Sequence, residues 1–150
     1  MGRIAVLALS LTVIVFCCFA GELLPGYVEK TPVEVIGGYS LGKPTGSGLS
    51  LYGPAYQCRD DPRATCYPTV VEQSVVKIGW NDDFILVERH PRDTYIFSTP
   101  DATIASWFII NLSSGTVYKD LSYEEFSELI AKLEIRDIEL QEPMEIYEKR

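Results

Sequence analysis

The apolar and polar positions of this chain are organised around residues 75–89, V-V-K-I-G-W-N-D-D-F-I-L-V-E-R. Two β-type runs, Val75–Trp80 and Phe84–Arg89, flank Asn81-Asp82-Asp83. Val, Ile, Trp and Phe suit a pleated, half-buried surface, whereas Asn and Asp suit a turn. The pattern predicts a central β-hairpin with a short loop.

Upstream, residues 33–41 form a strand candidate in which Gly37-Gly38 suggests a bulge or bend. Residues 42–48, G-K-P-T-G-S-G, read as a loop. They fail the phosphate-loop pattern, because Pro44 follows Lys43 where Ser or Thr is needed. A short strand is expected at 49–52. Pro54, Pro62 and Pro68 then exclude a long regular element. Downstream of the hairpin, 94–98 and the strongly apolar 106–112 read as strands. Ser113-Ser114-Gly115 makes a turn, and 116–118 pairs back.

The helix signal is local and complete. Ser122 stands as N-cap with Glu125 three residues on, and Leu121 and Phe126 occupy the staple positions. Phe126, Leu129, Ile130 and Leu133 then form one apolar stripe, which needs a sheet to cover. Pro143 is read as stopping regular structure, and the tail at 141–150 as loosely held. Together these elements predict an α+β domain over residues 21–140: a meandering antiparallel sheet with one C-terminal amphipathic helix packed on it.

The first twenty residues change the picture. Arg3 precedes an uncharged apolar run at 4–20 that ends in a small residue, the pattern of a signal peptide cleaved after Ala20. Two alternatives compete with it. One is an uncleaved anchor, for which the run is at the short limit of a bilayer span. The other is lipidation at Cys18. Cleavage leaves an exported chain that is periplasmic or secreted; lipidation leaves it membrane-anchored. The formal net charge is −8, which argues against nucleic acid and against docking on anionic lipid, since both require a basic footprint. A membrane contact is therefore expected only through the leader or a lipid anchor.

W-N-D-D-F-I-L-V at 80–87, followed by S-W-F-I-I-N-L-S-S-G-T-V-Y-K-D-L-S-Y-E-E-F at 106–126, resembles a family of small bacterial secreted domains and lipoproteins catalogued as a domain of unknown function. The shared motifs are turn residues, strand cores and a helix cap. The resemblance implies a fold and no activity.

Catalysis needs a nucleophile with a base, a metal cluster or a tuned acid pair. His90 is the single histidine and sits before Pro91 in a polar turn, where an exposed ring is expected. Asp82-Asp83 and Asp60-Asp61 lack the spaced oxygens of a calcium loop. Trp80 and Trp107 lie in apolar runs and read as core. No catalytic residue, metal site or cofactor is expected. After cleavage at Ala20, Cys58 and Cys66 are the remaining cysteines; export places them in an oxidising compartment, and Asp60, Asp61 and Pro62 between them favour a turn, which predicts a disulfide closing a short loop. Arg59, Asp60, Asp61 and Arg63, flanked by Tyr56 and Tyr67, make that loop the candidate partner surface. The function expected is a non-catalytic envelope binding module for an unknown protein or envelope component. The alternatives are a periplasmic inhibitor or immunity-type protein for a basic partner, and an enzyme using His90 or Asp82-Asp83.

Overall fold

The computed structural model of the chain describes residues 32–43, 48–91, 101 and 103–149. The leader with Cys18, the middle of the 42–48 loop and the strand expected at 94–98 lie outside the described residues. In chain order the elements are β1 (Val33–Ile36), β2 (Tyr39–Gly42), β3 (Ser50–Tyr52), β4 (Tyr56–Gln57), β5 (Thr65–Cys66), β6 (Thr69–Val71), β7 (Val75–Trp80), β8 (Phe84–Arg89), β9 (Ser106–Asn111), β10 (Val117–Leu121), α1 (Tyr123–Lys132) and α2 (Pro143–Glu148).

The central hairpin forms where its apolar runs place it. Asn81 closes it: its Oδ1 accepts from the N–H groups of Asp83 and Phe84, at 3.0 and 2.9 Å. The strands join an antiparallel sheet of order β10-β9-β8-β7. A one-sheet meander does not account for the rest. Strands β1-β2-β3-β6 form a second four-stranded sheet, and β4-β5 a separate ribbon. One cause is Gly37-Gly38. Both residues have positive φ, +60° and +81°, so the chain reverses there instead of bending, and 33–41 becomes two paired strands.

The α+β character stands, built as layers. Ile85 and Val87 of β8 and Phe108 and Ile110 of β9 face the first sheet, against Leu41, Leu51 and Val71. Leu86, Trp107 and Ile109 point the other way, against Phe126 of α1 and Ile135 beyond it. Successive strand side chains alternate faces, so a sheet buried on both sides requires the unbroken apolar runs seen at 84–87 and 107–110. The capping box is complete: Ser122 Oγ accepts from Glu125 N–H, and Glu125 Oε2 accepts from Ser122 N–H at 2.8 Å. Hydrogen bonding to the carboxylate, first from the Ser122 backbone N–H and then from the Ser122 side chain, holds the Glu125 carboxyl below its ordinary value of 4.5. A depressed carboxyl contributes stability above its unfolded-state value and loses it as pH falls through the lower folded value. Ser122→Ala is expected to cost about 1 kcal/mol in urea denaturation and to lessen that acid-dependent part of the stability without abolishing it, because the residue 122 N–H still donates to Glu125 Oε2.

The tail differs from expectation. Pro143 starts a helix, since the first helical position has no use for an N–H. Pro143 and Tyr147 are buried, and Gln141 pairs with Ile78 at the edge of β7. The 141–149 segment is therefore docked onto the domain.

Candidate functional site

Between β3 and β6 the chain makes an excursion whose base is pinned by Gly53 N–H donating to Pro68 O at 2.8 Å. Beyond that pin, β4 and β5 pair through Tyr56↔Cys66 and Gln57↔Thr65. Cys58 and Cys66 are joined by a disulfide. The tip is tied to itself. Cys58 N–H donates to Ala64 O, Ala64 N–H to Asp61 O, Arg63 N–H to Asp61 Oδ1 and Gln57 Nε2 to Pro62 O. These bonds supply the turn chemistry that Asp and Pro favour.

The structure brings together most of the residues expected at this surface. Arg59, Asp60, Asp61 and Arg63 are exposed, and Tyr56 is 51% exposed. Tyr67 behaves differently: it is half-buried and packs edge-on against Tyr52 of β3, with centroids 6.4 Å apart. It anchors the ribbon to the first sheet and is not part of its rim. No residue from 53 to 68 belongs to either hydrophobic core. Cross-linking a loop this short restricts the unfolded chain by about 2–3 kcal/mol at most. In the Cys58→Ser/Cys66→Ser variant we expect amide exchange to rise at 56–66 while the core strands stay protected. Loss of core protection would mean that the ribbon supports the sheets.

A second polar cluster lies at the far end of the central hairpin. Lys77 and Trp107 are the register partners of Glu88, so the three side chains share one face. Glu88 and His90, two apart, point the same way. Glu88 is 7% exposed; its Oε1 lies 2.7 Å from His90 Nε2, and its Oε2 3.5 Å from Lys77 Nζ. Burying a carboxylate costs several kcal/mol, roughly, unless it is paired; His90 meets Oε1 with a hydrogen bond, whereas Oε2 has Lys77 at ion-pair distance and no hydrogen-bond partner among the described residues. His90 is accordingly half-buried, unlike the exposed loop residue expected. Nearby, hydrogen bonds from the Thr103 hydroxyl and N–H hold the Asp101 carboxyl below its ordinary value, with the charge of His90 adding to them. His90 N–H and Arg89 Nε donate to Ser74 O and Gln73 O. The cluster thus clamps the end of β8 to the segment leading into β7.

The Glu88–His90 pair was missed in sequence, although E-x-H at a strand end was a usable signal: two ionisable side chains on one face. Asp82 and Asp83 are exposed at the hairpin turn, the opposite end of β8 from His90. The six residues of that strand span roughly 20 Å. His90 and the two aspartates therefore do not converge. Among the described residues, no group of three or more His, Cys, Asp or Glu side chains is placed to hold a metal ion.

The fold and this geometry define an α+β domain that carries a disulfide-closed ribbon on an antiparallel scaffold. Residues 57–147 match the family described as "Protein of unknown function (DUF3997)", and the chain belongs to that family. The matched span takes in most of the ribbon, the doubly covered sheet and α1. Strands β1 to β3 precede it. No curated protein and no solved structure matches the chain.

Proposed function

We propose that the chain is an exported, non-catalytic binding domain whose recognition surface is the disulfide-closed ribbon. One observation carries this reading. The ribbon's bonds serve its own shape, and it stands outside both cores with its charged tip exposed. Holding an exposed loop rigid lowers the ordering cost of binding without adding to the scaffold. The apolar leader supports export, as does a disulfide, which persists in oxidising compartments. Among the described residues no helix is long and apolar enough to cross a membrane. Intact mass of the exported protein is expected to begin at Gly21; a mass beginning at Cys18 with acyl chains gives the lipid-anchored form instead.

A second reading, an inhibitor of a basic partner, draws on the other charged surface. Nine acidic residues follow Ser122, and every one is exposed. One experiment separates the two. A photo-crosslinking residue is placed at Asp60, exposed at the ribbon tip, or at Lys132, exposed on α1. Adducts in producing cells are expected from position 60 and not from 132. Adducts from 132 alone favour the inhibitor, and equal yields from both sites reject the ribbon as the recognition surface.

A further inference from the structure

Resting on the reading of the ribbon as the recognition surface, we infer that it takes an acidic protein segment, gripped by Arg59 and Arg63 with Tyr56 beside them. The charges at the tip are not equivalent. Asp61 is committed to the turn, its Oδ1 accepting from Arg63 N–H at 2.9 Å. Lys77, Arg89 and Lys149 each sit against a carboxylate. Arg59 and Arg63, like Lys43, Lys119, Lys132 and Arg136, form no ion pair among the described residues; of these, only Arg59 and Arg63 stand together in one disulfide-closed turn. Asp60 is the one other exposed carboxylate at the tip that the turn does not use.

Two unpaired guanidinium groups on a braced turn offer forked donors of the shape that carboxylates accept. Phosphate fits the same fork. The exposed ring of Tyr56 favours a protein, because Tyr and Arg together are the residues on which protein interfaces concentrate their energy. The acidic body of the domain repels such a partner at long range. At physiological ionic strength charges beyond about 8 Å are largely screened, which leaves contacts at the tip to decide.

The test is an NMR titration of the full oxidised chain with hexaglutamate peptide at about 0.15 M salt, where that screening applies. Shifts are expected to be confined to 56–67. Affinity is expected to fall about tenfold in Arg59→Ala/Arg63→Ala, as for two exposed ion pairs lost. Both side chains are exposed, and an unchanged spectrum outside the ribbon checks that the variant folds. No shift at 56–67, or undiminished binding by the variant, overturns the inference. Equal or stronger shifts with inorganic polyphosphate overturn the choice of a protein partner. If position 60 crosslinks in cells and hexaglutamate does not bind, this inference falls while the recognition surface stands.

Discussion

Gly79→Ala is expected to destabilise the domain more than any other single added methyl. Gly79 lies in β7, at the edge of the doubly covered sheet, under the segment that leads from α1 to α2. A Cβ built there meets Glu139 O within contact distance and lies 2.8 Å from Ile138 Cγ2. The first of these is backbone and cannot rotate away. It is also fixed from both sides, because Ile78 N–H donates to Gln141 O and Gln141 N–H to Ile78 O, at 3.0 and 2.9 Å. To admit the methyl, the crossing segment must lift. That breaks the two bonds, uncovers the β7 edge and loosens Ile138 and Leu140 over the second core. The expected cost is about 2–3 kcal/mol, the upper part of the overpacking range, or roughly 10 °C in Tm for a domain of this size. Urea denaturation and exchange at the Gln141 amide measure it. A cost below about 0.5 kcal/mol, within the range of an ordinary surface change, would show that the crossing segment is not seated on β7.

Gly79 also marks the limit of what could be read from the sequence. Alone it looks like a weak point in a strand, and its reason lies sixty residues away. Local signals transferred well. Asn81-Asp82-Asp83 gave the turn and Ser122 and Glu125 gave the cap, because each rests on side chains bonding to a neighbouring backbone, and the cysteine pair gave the closed loop through a covalent bond between residues eight apart. Long-range pairings did not transfer. The first sheet depends on which short strands meet, and a three-residue run such as Ser50–Tyr52 carries too little pattern to choose a partner. Residues 135–140, I-R-D-I-E-L, are irregular because Glu134 and Asp137 adopt positive φ, +53° and +60°. Ile135, Ile138 and Leu140 still turn inward from it. At the candidate surface, exposure of the four charged tip residues was legible from the polar run itself. The inward seat of Tyr67 was not, since it depends on Tyr52 across the sheet.

The other large effect is expected at Trp107, where α1 meets the sheet. Trp107 is 9% exposed, with its ring 4.6 Å from Phe126 and 5.4 Å from Tyr123. These contacts hold the first turn of α1, the turn that the capping box shapes but does not attach to anything. Trp107→Ala removes the largest side chain in the second core and leaves a void that Phe126 alone cannot fill, at an expected cost of about 3–5 kcal/mol. It also opens the row in which Trp107 stands beside Glu88, so water reaches a carboxylate otherwise shielded at 7% exposure. Trp80, half-buried against the first core, remains as the fluorescent reporter of unfolding. Tyr123→Ala is the control. That ring is 66% exposed and touches the same indole, so its loss should cost about 1 kcal/mol, the scale of one aromatic pair. If the two variants lose the same stability in urea, Trp107 is not what fastens the helix, and the stripe of Leu129, Ile130 and Leu133 must hold it instead.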